Sequence, residues 1–161
     1  MRRDVSEETP DGPPEQLAGL TWDPGDADLT VADGHVITEL GIRTVPSPEA
    51  DLAMEMDCTP QRVNLRGGLQ GGLIATLIDV VAGMASLDGC PHGHVPTTTN
   101  LAVTFLARIG TGPARASARI VRRGRRSIVV QVDVHDVGAD RLAAVSTVSF
   151  LVVPVGSTTS G

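Results

Sequence analysis

Lysine and tyrosine are both absent from the 161 residues, and only Trp22, Phe105 and Phe150 are aromatic. With no side-chain amine, the chain cannot form a lysine Schiff base, a P-loop lysine contact or a Ser-Lys dyad. With so few rings, its core must be aliphatic, and it lacks the stacking platforms of single-strand nucleic-acid binders. Cysteine is also scarce. Cys58 and Cys90 are too few for a disulfide framework and read as buried thiols. No uncharged apolar run reaches the roughly 18 residues of a membrane span. The nearest, residues 69–85, is interrupted by Asp79 and by glycines. The amino terminus has no apolar signal-peptide core. The expectation is a cytoplasmic protein that partners neither membrane nor nucleic acid.

What is present is the composition of a soluble globular domain, with 41% hydrophobic and 20% charged residues. The formal charge of −6 is unevenly placed. Residues 1–28 hold eight acids against Arg2 and Arg3, and the remainder is balanced. Even that balance hides a block. Between Asp88 and Asp133 there is no acid but seven arginines: Arg108, Arg115, Arg119, Arg122, Arg123, Arg125 and Arg126. A local positive field of this kind suits an anionic ligand.

Residues 1–26, rich in Pro, Glu, Asp and Gly, read as a disordered acidic tail. Residues 156–161 are small and polar and are expected to fray. One domain is expected over 27–155. Within it, 29–40 suggests a short helix or turn, and 42–45 and 52–57 suggest strands around a Pro-Ser-Pro turn. The segment 59–70 reads as a loop. Residues 71–87 carry the strongest helix signal, with Leu73, Leu77, Val80, Val81 and Met84 at helical spacing and expected to face a sheet. Period-two alternation then predicts strands over 95–108, 113–123, 127–137 and 141–154. Their short turns suggest an antiparallel meander. Long strands and one mostly apolar helix imply an α+β domain in which the sheet wraps the helix.

From Gly67 to Leu87 the only charge is Asp79. An unpaired carboxylate in apolar surroundings is costly, and aspartate is a poor mid-helix residue. Gly72, Thr76, Asp79, Gly83 and Ser86 are spaced by three or four, so they share one narrow, small, polar face. A solvated stripe would explain such a face. One charge in five turns is a thin supply for that, and the alternative is a catalytic carboxylate in a partly dry setting. The glycines of 67–72 let the backbone approach another group closely. The first helical N–H groups have no internal partner and sit at the positive end of the helix dipole. They suit a carbonyl oxygen that becomes an oxyanion.

Asn64, the run Gly67-Gly68-Leu69-Gln70-Gly71-Gly72-Leu73, and Asp79 together resemble the central motif of hotdog-fold thioesterases. The nearest subgroup is the phenylacetate-degradation type of acyl-CoA thioesterase. The likeness extends over roughly 35–154, including Leu40-Gly41-Ile42, Pro96 to Leu106 and the Arg-Gly-Arg turn before Ser127. It implies a long antiparallel sheet around one central helix, and dimers that pair into tetramers. It implies an active site at the dimer interface that takes an acyl-CoA and needs no metal or other cofactor. By the same resemblance, the Gly71 N–H polarises the thioester carbonyl and Asn64 places the thioester or water. Asp79 from the other subunit serves as general base or nucleophile, and Thr98, with Thr97 and Thr99 as rivals, holds the water. Gln70 and Gly72 border the substrate. The family usually has histidine where this chain has Gln70, which cannot titrate near neutral pH.

Coenzyme A carries phosphates, which gives Arg122, Arg123, Arg125 and Arg126 a use at the hairpin turn around Gly124; a solvated hairpin tip is the competing explanation. Cys90, His92 and His94 lie close in sequence but form no complete zinc spacing. No serine has the glycines of a nucleophile elbow. Hydrolysis of an aryl- or medium-chain acyl-CoA is the leading expectation. An acyl-CoA-binding hotdog protein without turnover, a sensor or carrier, stays open, as does a hydratase of the same fold.

Overall fold

The computed structural model describes residues 34–154 together with Leu20–Thr21 and Thr30–Val31. Those two short segments, β1 and β2, pair with each other antiparallel. The rest of the acidic tail expected over 1–26, and the frayed end expected over 156–161, lie outside the described residues. The main body runs α1 (Val36–Glu39), β3 (Arg43–Val45), β4 (Leu52–Met56), α2 (Gly71–Leu87), β5 (His94–Phe105), β6 (Ala114–Arg123), β7 (Ser127–Asp136) and β8 (Arg141–Pro154). The helix bounds agree with the sequence pattern at both ends.

Strands β3 to β8 form one antiparallel sheet in the order β3-β4-β6-β7-β8-β5. It wraps α2 as expected, and the fold is α+β of the hotdog type. The meander is only partly present. Strands β6, β7 and β8 follow one another, but β5 pairs with β8 and not with β6. Helix α2 carries the chain across the concave face, so β5 lands on the edge far from β4, and β4 takes the place beside β6. Strand β5 also ends at Phe105, short of Arg108. There the amides of Leu106 and Ala107 both donate to the Ala143 carbonyl, at 2.8 and 3.0 Å, and the backbone leaves the ladder.

The core is aliphatic. Ile74, Leu77, Ile78, Val81, Ala82 and Ala85 of α2 pack on Ala114, Ala116 and Ala118 of β6, Val130, Val132 and Val134 of β7, and Val148 and Phe150 of β8. The small β6 side chains bring the helix close to the sheet. The expected helix faces need rotating. Leu77 and Val81 are buried, but Leu73, Val80 and Met84 are half-buried, at the flank of the core. Ser86 lies on the buried side, not on the small polar stripe, and its hydroxyl has no hydrogen-bond partner among the described residues. The reason is geometric: the sheet curves around the helix, and the 74/78/82/85 line is central to its contact. Glu55 is also buried, and it is held by Arg43 at 3.1 Å and Arg115 at 2.6 Å across β3, β4 and β6. Two arginines thus offset the cost of burying this carboxylate.

Leu77 is fully buried at the centre of this contact. Leu77→Ala is expected to lower unfolding stability by about 2–5 kcal/mol, measured by urea denaturation.

Candidate active site

The segment before α2 is shaped to present backbone N–H groups. The Asn64 side-chain oxygen accepts from the amides of Arg66 at 2.9 Å and Gly68 at 3.4 Å. The Asn64 amide donates to the Gly68 carbonyl at 2.7 Å, which closes the turn. Gly67 has φ +73°, a left-handed conformation suited to glycine. A side chain at Gly68 would collide with Arg108 Cγ and Cδ. The Gln70 carbonyl then accepts the first helical bonds, from Leu73 at 3.0 Å and Ile74 at 3.1 Å. The N–H groups of Gly71 and Gly72, one residue earlier, therefore have no intrahelical acceptor. Gln70 itself is exposed and gives no side-chain cap.

Gly71 opens into a groove of about 530 Å3. Asn64, Leu69, Ile74, Phe105 and Ile109 line it, with Arg66 and Arg108 also contributing. The Phe105 ring lies so close to Gly71 that a Cβ there would be 3.4 Å from its Cζ. Asp79 does not line this groove. It stands eight residues further along α2, a rise of about 12 Å. There it is half-buried, and Thr98 Oγ1 donates to Asp79 Oδ1 at 2.9 Å. Of the three rival threonines, Thr98 is thus the one on the carboxylate. Thr99 donates to the Ser149 carbonyl at 3.0 Å instead. A break in register between Thr98 and Asn100 lets these adjacent hydroxyls find different partners. So one chain brings Asn64 and Gly71 together at one place and Asp79 with Thr98 at another.

The family model of the thioesterase superfamily matches residues 67–143, which span the helix start, Asp79 and Thr98. Two solved structures share the fold and more than a quarter of aligned residues. A candidate thioesterase of Ralstonia eutropha, described as related to phenylacetic acid degradation, is 29% identical with a TM-score of 0.64, over 72% of this chain and 88% of its own. A Bacillus halodurans protein solved with CoA is 27% identical with a TM-score of 0.64, over 73% of this chain and 75% of its own. The chain is thus similar to thioesterases of the hotdog fold in its central segment and in its architecture. A curated relative, a candidate esterase of Saccharolobus solfataricus, is 33% identical over 72 residues, 44% of this chain. That match spans 51% of the relative's length.

The arginine block divides by partner. Arg115 is paired with Glu55, and Arg119 with Asp133 at 2.9 Å. Arg108 donates to the Arg66 carbonyl at 3.1 Å. Arg123 donates to the carbonyls of Ser86 at 3.0 Å and Ala85 at 3.2 Å. It therefore caps the negative end of α2. Arg122, Arg125 and Arg126 are exposed, and their guanidinium groups make no hydrogen bond or ion pair with the described residues, although the Arg126 carbonyl accepts from the Val152 amide at 3.0 Å. Arg125 and Arg126 border a second hollow of about 440 Å3 with Pro91, His94 and Val152. The thiol of Cys90 donates to the Ser86 carbonyl at 3.2 Å, and His94 Nδ1 lies 3.2 Å from the His92 carbonyl oxygen. Among the described residues no three His, Cys, Asp or Glu side chains gather closely enough to hold a metal. No described helix is long and apolar enough to cross a membrane.

No motif or spacing marks Asp136. Only 1% exposed, it accepts from the amides of Gly110 at 2.9 Å, Thr111 at 3.2 Å and Gly112 at 2.7 Å. Burial alone would raise its carboxyl, but these amides and that of Ala139 outweigh burial and hold it below the ordinary value. The groove wall at Phe105 and Ile109 was equally hidden, because the alternation suggested a strand running on to Arg108.

Since the folded carboxyl is more acidic than the unfolded one, Asp136 contributes stability above its ordinary value of 3.8, and that contribution fades as pH falls through the lower folded value. Stability of the wild-type protein should therefore fall more steeply below about pH 4 than that of Asp136→Asn, compared by urea midpoints across the acid range.

Proposed function

We propose that the protein hydrolyses the thioester of an aryl- or medium-chain acyl-CoA, with each site assembled from two copies of the chain. The observation that carries this is the Thr98-held carboxylate of Asp79, the only charge on an apolar helix whose free N–H end opens into a groove. A base and an oxyanion-binding N–H are the two parts thioester hydrolysis needs. They are too far apart in one chain to reach the same carbonyl, so Asp79 of one copy would serve Gly71 of another. The half-buried Leu73, Val80 and Met84 beside Asp79, and the unpaired edge of β5, support such a pairing. We propose a dimer, or a tetramer made of two such dimers.

In this reading the thioester carbonyl oxygen accepts from the Gly71 N–H, with Gly72 alongside. Asp79 takes a proton from a water held with Thr98, and that water's oxygen bonds to the carbonyl carbon. The tetrahedral intermediate then expels CoA thiolate, and its oxyanion reverts to a carbonyl as the acid forms. The thiolate takes up the proton. Because the Asn64 oxygen is engaged by its own turn, its amide nitrogen is the part that faces substrate. Gln70 can orient but not titrate, so the proton transfer falls to Asp79. The unpaired Arg125 and Arg126, with Arg122 nearby, suit the CoA phosphates, whereas Arg123 is engaged at the helix end. The apolar part of the groove, Leu69, Ile74, Phe105 and Ile109, suits the acyl chain.

Asp79→Asn is expected to cut kcat by roughly 10²–10⁴ and leave CoA binding intact, read by free-thiol release and calorimetry. Unchanged turnover would refute the mechanism. Binding of acyl-CoA by the wild-type protein with no thiol release would favour a carrier or sensor. Gly71→Pro removes the N–H at the first helical position, where proline is well tolerated. Gln70 before it, at φ −56° and ψ 131°, already suits proline. This variant should keep its melting temperature within a few degrees and lose roughly 10²–10³ in kcat. Replacing Arg125 and Arg126 by Gln should raise KM for acyl-CoA, weaken its salt dependence and leave kcat nearly unchanged.

A further inference from the structure

The crossover from β5 to β6, residues 106–113, is pinned at both ends, and it forms one wall of the groove beside Gly71. At its start, the Leu106 and Ala107 amides are held by the Ala143 carbonyl. At its end, Asp136 gathers three successive amides onto one carboxylate. No cation neutralises Asp136 among the described residues, so backbone N–H dipoles alone compensate a nearly fully buried charge. Gly112 at φ +69° and the close approach of Gly138 to Thr111 let the backbone curl around it.

The pinned stretch in turn holds the segment that leads into α2. The Ile109 carbonyl accepts from the Leu69 amide at 2.8 Å, and the Arg108 guanidinium reaches the Arg66 carbonyl at 3.1 Å. Arg108 also lies over Gly68, where no side chain fits. Arg141 steadies Arg108 from behind through a 2.6 Å bond to its carbonyl. Residues 66–69 are thus clamped by 108–109, and 110–112 by Asp136. Gly71 follows two residues after Leu69, so the direction of its N–H depends on this clamp.

We propose that Asp136 is a positioning residue for the reaction, fixing the Arg108–Ile109 wall that aims the Gly71 N–H at the carbonyl oxygen. This rests on the thioesterase reading above, and it makes a buried strand-end carboxylate outside the groove a determinant of kcat. Asp136→Asn keeps the shape but presents an amide that cannot accept all three N–H groups. Misaiming an oxyanion donor affects the transition state more than the bound substrate, so kcat falls and KM holds.

The test compares Asp136→Asn with Val130→Ala, a core variant of the same strand, each assayed at a temperature giving the same folded fraction. The expected result is a kcat loss of about 10-fold or more for Asp136→Asn with KM within about twofold, and near wild-type kcat for Val130→Ala. Arg141→Gln, at an exposed residue, loosens the same wall without disturbing the core and should lose kcat several-fold at an unchanged melting temperature. It decides the matter if Asp136→Asn does not fold. Amide exchange at Leu69 and Gly110 to Gly112, measured without substrate, should quicken in both wall variants and not in Val130→Ala. Wild-type kcat in the folded wall variants, or an equal kcat loss in Val130→Ala, overturns the proposal. Should the wild-type protein release no thiol from any acyl-CoA, the thioesterase reading fails instead, and unchanged exchange in the wall variants would still overturn the role of Asp136.

Discussion

Eight residues of helix separate the carboxylate of Asp79 from the free N–H of Gly71, and that spacing governs how the molecule can work. Because α2 is rigid and packed on a sheet, about 12 Å along its axis cannot be closed by side-chain motion. Its buried line, Ile74, Leu77, Ile78, Val81, Ala82 and Ala85, fixes the rotation of the helix. That rotation leaves Asp79 half-buried under Thr98, while Gly71 opens between Asn64 and Phe105. In the proposed reading these are two half-sites, and the chemistry follows once two copies join them.

Each half-site is stiffened by backbone hydrogen bonds that are hard to perturb from solvent. At the Gly71 end, Asn64 closes a turn, Ile109 holds Leu69, and Asp136 holds the crossover. At the Asp79 end, an interrupted strand register turns Thr98 onto the carboxylate. Preorganised donors of this kind cost no reorganisation during reaction, which is where most of the rate advantage of such sites arises. The unpaired arginines are kept apart from both, at the far end of α2 near Pro91 and His94. In the proposed reading, charge for recognising a substrate and groups for cleaving it would occupy different parts of the molecule.

Much of this was legible in the amino-acid order. Helical periodicity set α2 at 71–87, and alternation set β6, β7 and β8 within a residue or two. Asn64, Gly71 and Asp79 stood out through a family motif, and the same resemblance favoured Thr98 among three threonines. The sheet order was not legible, because alternation says which residues face the core and nothing about which strand lies alongside. The fate of the arginines was hidden for a similar reason. Arg123 at a helix end and Arg115 beside Glu55 look like Arg125 in sequence, and only their partners in space differ. Asp136 read as one more polar residue at a strand end, since three of the amides that hold it come from 24 to 26 residues away.

Joining two half-sites across copies has a direct test in subunit mixing. Asp79→Asn and Gly71→Pro each spoil a different half, so a hybrid dimer would carry one doubly damaged site and one intact site. After dissociation and reassociation of an equal mixture, thiol release from acyl-CoA should recover to about a quarter of the wild-type rate. A mixture no more active than the average of the two variants alone would contradict a site built from Asp79 of one copy and Gly71 of another.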